Sequence, residues 1–311
     1  MARPTFPRTL REFRERFADE ADCYEYLIQS RWPEGRICPR CQGREFWQRS
    51  RRWLHPCRTC GFEVSPTAGT LLQDSHMPVQ EWFWTGYLVA THTPGLSAKQ
   101  LQRQLGCSYK TAWYLLHRLR RAMVNESRSP LRGVVEADET FVGGPAAGQS
   151  GRGVAAAENK TLVWGAVEVL RWRDAKGHWQ ERAGRLRLAP ARRADAPSIG
   201  QFLAENVAAG TTIQTDGWRG YSQTALAPYR HEAAPGQRAR HIHRAFGNLK
   251  TWLLGTQHGV DPKYLAHYLD EFVFRFNRRN TPMPAFQTLL GLAGTKHALG
   301  YRKMITPASK G

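Results

Sequence analysis

Val134-Val135-Glu136-Ala137-Asp138-Glu139-Thr140-Phe141-Val142-Gly143-Gly144 reads as an apolar strand that ends in acids and closes on a glycine turn. Outward from it, Thr161-Leu162-Val163-Trp164-Gly165-Ala166-Val167-Glu168-Val169 is expected as a second strand and Gly184-Arg185-Leu186-Arg187-Leu188 as a third. Thr211-Thr212-Ile213-Gln214-Thr215-Asp216-Gly217-Trp218 then forms a short strand with an acid at its end, and long helices follow from about Arg240. Each aspartate alone would more often be a turn residue. Together, Asp138 and Asp216 can converge from distant strands and hold divalent metal through hard oxygen ligands. Two Mg²⁺ ions about 3.5–4 Å apart would activate a nucleophile and stabilise the leaving oxygen of a phosphodiester.

Upstream, Cys38-Pro39-Arg40-Cys41 and Cys57-Arg58-Thr59-Cys60 form two CxxC pairs. Zinc prefers four soft ligands in a tetrahedron, and each pair supplies two thiolates from one tight turn. The segment between them (Glu45 to Arg49, then Arg52-Trp53-Leu54) alternates like a β-hairpin, as a zinc ribbon requires. Redox chemistry at both pairs would need two coincidences at ribbon spacing, so a structural zinc site is expected. The metal would stand in for a core, because so short a segment buries too little surface to fold alone. Cys23 and Cys107 read as small buried hydrophobes, and His55 is not needed beside four thiolates.

Residues 78–125 read as helical, and Gly95 to Trp113 resembles a helix-turn-helix. Ser97 and Ser108 are placed to cap the two helices, and Gly106 supplies the turn. Leu101, Leu105, Ala112 and Leu116 fall at core positions. Tyr109, Lys110 and Thr111 open the second helix, where such motifs meet base edges. His117, Arg118, Arg120 and Arg121 follow and suit phosphate contact; a plain two-helix unit is the alternative. One or two short helices are expected over Thr9 to Gln29.

The 311 residues carry 45 Lys+Arg against 26 Asp+Glu, a formal charge of +19, which draws a protein to polyanions. No run of about 18 apolar residues is present, and the N-terminal stretch lacks the apolar centre of a signal peptide. A reducing cytoplasm is therefore expected, with no membrane partner. Several of the 11 Trp adjoin Arg (Arg31-Trp32, Arg52-Trp53, Trp218-Arg219), which fits surface cation–π contacts or nucleic-acid contact. The polar join at Asn125 to Arg132 marks a domain boundary, and Gly143 to Gly153 a loop.

The succession of zinc ribbon, helix-turn-helix, Ala137-Asp138-Glu139-Thr140-x-x-Gly143-Gly144, Thr215-Asp216-Gly217-x-x-x-Tyr221 and His243-x6-Lys250 resembles the insertion-sequence transposases with an ISXO-like, DDE-type catalytic domain. The resemblance runs from about Phe13 to Arg279. It implies an α+β multidomain chain: a helical segment over 1–32, zinc ribbon over 33–70, helix-turn-helix over 78–125, a ribonuclease-H-like domain (mixed sheet, flanking helices) over 132–285, and a tail over 286–311. It also implies double-stranded DNA as partner (terminal inverted repeats and target), two-metal strand cleavage and joining with Mg²⁺ or Mn²⁺, a homo-oligomeric synaptic complex, and a bacterial or archaeal cytoplasm beside the nucleoid. Asp138 and Asp216 become the first two metal ligands, and Lys250 a DNA contact near the scissile phosphate. Many relatives carry Glu seven residues before that Lys, where this chain has His243. Either His243 or Asn248 fills the third catalytic position. A neutral imidazole suits Mn²⁺ or proton transfer better than Mg²⁺. Glu271 is a further carboxylate, expected to pair with Arg275 four residues on. A nuclease of the same fold and a catalytically silent DNA-binding regulator remain the alternatives.

Overall fold

The computed structural model describes residues 5–47, 53–124, 128–143, 160–217, 226–233, 239–281 and 285–290. The 144–153 loop, Trp218, Arg219, Tyr221, residues 48–52 of the expected hairpin, 125–127 of the join and the tail beyond 290 lie outside them. The chain forms two compact units, Met1–Asn125 with Asn280–Gly311, and Glu126–Arg279. Among the described residues, no helix is long and apolar enough to cross a membrane.

In the first unit, α1 (Leu10–Arg16) starts at Thr9, whose hydroxyl accepts from the Glu12 N–H, and α2 (Glu20–Arg31) starts in a capping box between Asp19 and Asp22. The helices α3 (Val79–Thr91), α4 (Ala98–Leu105) and α5 (Tyr109–Ala122) follow. Ser97 and Ser108 cap α4 and α5, and Gly106 turns between them at φ 63°, a conformation that costs glycine little. The core was not foreseen. Phe13, Phe17, Tyr26, Phe83 and Tyr87 all pack around Phe286, with ring centroids 5.8 to 6.5 Å away. Residues 285–290, read from sequence as the end of the catalytic domain and the start of a tail, thus form a helix that completes the core of the N-terminal unit.

The cysteine segment contains β1 (His55–Pro56) paired antiparallel with β2 (Glu63–Val64). Phe46 bridges Cys57, while Trp47 donates to the Pro56 carbonyl and Arg58 to that of Glu45. The described pairing therefore joins 45–47 to 56–58, later than the expected arm at 52–54. The second arm must deliver Cys57 directly into its knuckle, and that requirement sets the register.

The second unit contains β3 (Val134–Val142), β4 (Thr161–Arg173), β5 (Trp179–Ala191), α6 (Ala196–Asn206), β6 (Thr212–Thr215), β7 (Arg230–Ala233), α7 (Arg240–Gly255) and α8 (Leu265–Asn277). Its sheet runs β5-β4-β3-β6-β7. Pairs β5–β4 and β4–β3 are antiparallel, whereas β3–β6 and β6–β7 are parallel. Strand alternation divides the core in two. Val135, Ala137, Leu162, Trp164, Ala166 and Ile213 pack with Ile199, Phe202 and Leu203 of α6. Val163, Val167, Leu186 and Leu188 pack with Ile242, Phe246 and Leu249 of α7 and Leu269 and Val273 of α8. The acids do not end β3, as expected; the strand continues to Val142, so Asp138 lies in its middle.

Candidate functional site

Because Val135 and Ala137 face α6, period-two alternation turns Glu136 and Asp138 toward α7. Strand β3 pairs in parallel with β6 as Val134↔Thr212, Val135↔Ile213 and Glu136↔Gln214. Carried two residues on, that register would bring Asp138 level with Asp216, whose charge acts on Asp138. Asp216 directly follows β6 in a turn held by Thr215, whose hydroxyl accepts from the Gly217 N–H and bonds His231 Nε2 at 2.9 Å.

Helix α7 brings the third group. Its N-cap, Ala239, offers no side-chain cap. Instead the buried Glu136 carboxylate accepts from the backbone N–H groups of His241 (2.8 Å) and Ile242 (2.9 Å). A carboxylate at this end also meets the positive pole of the helix. One residue on, His243 places Nε2 3.3 Å from Asp138 Oδ2. Across β4, Gly165 pairs with Asp138, and a Cβ there would lie 2.6 Å from the Phe246 ring and 2.9 Å from Ile242. A bare backbone at this point lets α7 lie against the sheet.

Asp138 is buried, and its Oδ1 accepts from the Glu139 N–H at 2.8 Å. Burial pushes its carboxyl above the ordinary range; the Glu139 N–H and His243 oppose this, while the charge of Asp216 adds to it. A bound cation would relieve that excess of negative charge, so the donor set suits a hard divalent ion.

Of the remaining sequence candidates, Lys250 and Asn248 are both exposed on α7. At 3.6 residues per turn, Lys250 shares the His243 face, about 10 Å along the axis, whereas Asn248 lies about 140° around the helix. Contact with Asp138 therefore belongs to His243. Glu271 is buried with Arg275 at 3.8 Å, the pairing expected from sequence. Glu136 and Gly165 were not singled out from sequence. Glu136 falls two residues before Asp138 on the same strand face, which was the available signal.

In the first unit, Sγ of Cys38 lies 3.7 Å from that of Cys60, and Sγ of Cys41 lies 3.5 Å from that of Cys57. All four sulfurs lie within 4.8 Å of one another, and among the described residues no other group of three or more such ligands is gathered so closely. A tetrahedron of 2.3 Å Zn–S bonds has edges of about 3.8 Å, so the set fits zinc. The knuckles match: Gln42 and Gly61, each directly after the second cysteine of its pair, have φ of 61° and 69°. The N–H groups of Cys60 and Thr59, against the opposing effect of burial, pull the Cys57 thiol down to about 6.

Tyr109 and Lys110 are exposed at the start of α5, and Thr111 is half-buried there. The phosphate-contact reading of the next turns is corrected. His117, Arg118 and Arg120 are buried, and Arg121 is half-buried. Arg118 donates to the Gln73 carbonyl at 2.7 Å and lies 5.3 Å from the ring centroids of Trp82 and Tyr114. Burial lowers its pKa. It is a core arginine, because the second half of α5 packs inside its unit rather than along a surface.

Residues 18–63 match a transposase zinc-ribbon domain, and residues 130–277 an ISXO2-like transposase domain. The chain is also similar to a protein in the transposable element ISH50 of Halobacterium salinarum, with 27% identity over 217 residues, covering 66% of this chain and 70% of that one. Ribbon and acid-bearing sheet are each matched, in the order in which they occur, by domains of one kind of protein. The chain thus carries a transposase zinc-ribbon domain followed by an ISXO2-like transposase domain, and in that pairing it is similar to insertion-sequence transposases.

Proposed function

We propose that this chain is a DDE-type transposase that binds the ends of its element, cleaves a DNA strand at each and joins the 3′-hydroxyls to target DNA. The observation that supports the reading is the parallel pairing of β3 with β6, whose continuation would bring Asp138 level with Asp216, together with the contact of His243 with Asp138. In this account the sheet is ribonuclease-H-like, and Asp138 and Asp216 hold catalytic Mg²⁺ or Mn²⁺. Bound there, the metal supplies activation of the attacking oxygen and stabilisation of the leaving one. His243 takes the third position, where it orients the Asp138 carboxylate and can carry a proton. Lys250, on the same helix face, contacts the strand beside the scissile phosphate. The cysteine quartet holds a structural zinc. Helices α4 and α5 act as a helix-turn-helix with Tyr109, Lys110 and Thr111 toward the terminal repeats, Arg121 remaining a candidate phosphate contact. Two ends must be held together, so the active form is an oligomer.

The contact between His243 and Asp138 also favours a second reading, a silent DNA-binding descendant in which imidazole takes the place of metal. Nicking of a labelled element end separates them. Wild type is expected to nick in Mg²⁺ or Mn²⁺, and Asp138→Asn and Asp216→Asn to lose nicking about 1000-fold or more while still binding DNA. Binding without nicking in either metal would overturn the catalytic account.

A further inference from the structure

Strands β4 and β5 are longer than the sequence pattern suggested, and the extra length is a two-stranded ribbon. From Leu170↔Arg182 to Arg173↔Trp179 the two strands pair only with each other, beyond Val169, the last β4 residue that pairs with β3, at Val134. Four pairs at about 3.3 Å each make an arm of roughly 13 Å. At the base of the arm the β4–β5 register has an irregularity between Val167 and Val169. A bulge of this kind bends and twists a strand. Here it is fastened. The buried Glu168 accepts from Arg185 Nε at 2.8 Å and from the Arg132 N–H at 3.0 Å, and at Gly184 a Cβ would meet that of Glu168 at 2.9 Å.

Both faces of the arm are exposed, and each carries a tryptophan with an arginine over it. Arg173 lies 4.9 Å from the ring of Trp179, and Arg182 lies 5.6 Å from that of Trp172. Trp179 is 68% exposed and Trp172 43%. The cations outnumber the acids, and the acids are occupied. Asp174 accepts from the N–H groups of Lys176 and His178 and from Gln180, which shapes the turn. Glu181 bonds Arg171 Nε at 3.1 Å, His241 Nε2 at 3.2 Å and Arg240. Those last two open α7, so the arm is tied to the helix that carries His243. A cleft of ≈ 460 Å³ between Arg171, Trp179, Glu181 and Arg240 lies along this junction.

We infer that the ribbon over residues 170–182 is a DNA-contact arm that lays its arginines and tryptophans along duplex DNA leading to the Asp138 centre. A two-stranded ribbon fits the major groove, about 12 Å wide. Its cations meet phosphates, and its indoles present flat apolar faces to sugars and base edges. This rests on the transposase reading. The indoles would serve a protein partner as well, but the net positive charge beside acids already engaged within the fold matches a polyanion.

The test is binding of a labelled mixed-sequence duplex by the full chain, measured by anisotropy over a range of salt. Arg173→Gln and Lys176→Gln are each expected to reduce the slope of log K against log salt by about 0.9 and to weaken binding about eightfold at 0.1 M salt. Trp179→Ala is expected to weaken binding several-fold at unchanged slope. Lys263→Gln, whose ammonium already pairs with Asp261 at 3.0 Å, should match wild type. Wild-type affinity and slope in all three arm variants would overturn the arm and leave the transposase reading standing. Failure of the wild type to bind duplex DNA at all would end both. Normal DNA binding with self-association lost in the arm variants would assign the ribbon to a second copy instead.

Discussion

Replacing Gly165 by alanine adds one methyl group to β4, and by strand propensity alone that change should help. The structure reverses the sign. The new Cβ would lie 2.6 Å from Phe246 Cε1, 2.7 Å from Cζ and 2.9 Å from Ile242 Cδ1, about 0.9 Å inside the roughly 3.5 Å at which carbons pack. Phe246 is 4% exposed and Ile242 fully buried, so neither side chain can swing aside into solvent. Helix α7 must therefore lift or the sheet must bend, at a cost of about 1–3 kcal/mol. The same movement draws His243 away from Asp138, and a misplacement of about 1 Å can cost on the order of 100-fold in rate. Gly247→Ala is the control on the same helix, because a Cβ there meets nothing within 4 Å. It should be stabilising by up to about 1 kcal/mol and leave the rate unchanged. Urea unfolding and single-turnover nicking of both variants read the two effects. Equal stability and rate in Gly165→Ala and Gly247→Ala would refute the claim that a bare backbone at Gly165 seats the helix.

Removal of zinc by a chelator, or Cys38→Ser, should unfold the cysteine segment, seen as lost dichroism and protease protection, while the second unit keeps its sheet. Phe286→Ala should destabilise the first unit by about 3–5 kcal/mol in denaturant titration, since the ring is the hub of its aromatic core. Arg118→Ala should lower stability without changing the salt slope of DNA binding, and Lys110→Ala should do the reverse. Glu168 supplies a pH prediction. Burial alone would raise its pKa, but hydrogen bonds from Arg185 and the Arg132 N–H outweigh it and hold the carboxyl below the ordinary range. A depressed carboxylate stabilises the fold above its unfolded pKa, and that contribution is lost as pH falls through the folded value. Glu168→Gln should therefore be less stable than wild type at neutral pH, with the gap closing below about pH 4 in pH-dependent unfolding.

The cysteine spacing, the serine caps, the Gly106 turn and the strands that carry Asp138 and Asp216 were legible in the sequence, because each rests on local chemistry at fixed offsets. What was not legible depends on contacts between distant segments. Arg118 looks like a phosphate ligand among neighbouring arginines, and only the approach of Gln73 and Trp82 makes it a core residue. Phe286 looks like part of a tail until its ring is seen among Phe13, Phe17 and Phe83. Periodicity fixed the faces of β4 but not its length, since the ribbon beyond Val169 is exposed on both sides and follows no apolar alternation. At the candidate site, counting back from Lys250 reached His243 but left Asn248 open; helix geometry and the contact with Asp138 favour His243.

The most direct test of the central claim is joining of a labelled, pre-cut element end bearing a 3′-hydroxyl to plasmid DNA, in Mg²⁺ and in Mn²⁺. Wild type is expected to form joined product, with Asp138→Ala and Asp216→Ala forming none and His243→Ala impaired in both metals. Joined product from either aspartate variant, or none from the wild type under conditions where it pairs the ends, would contradict the assignment of this centre.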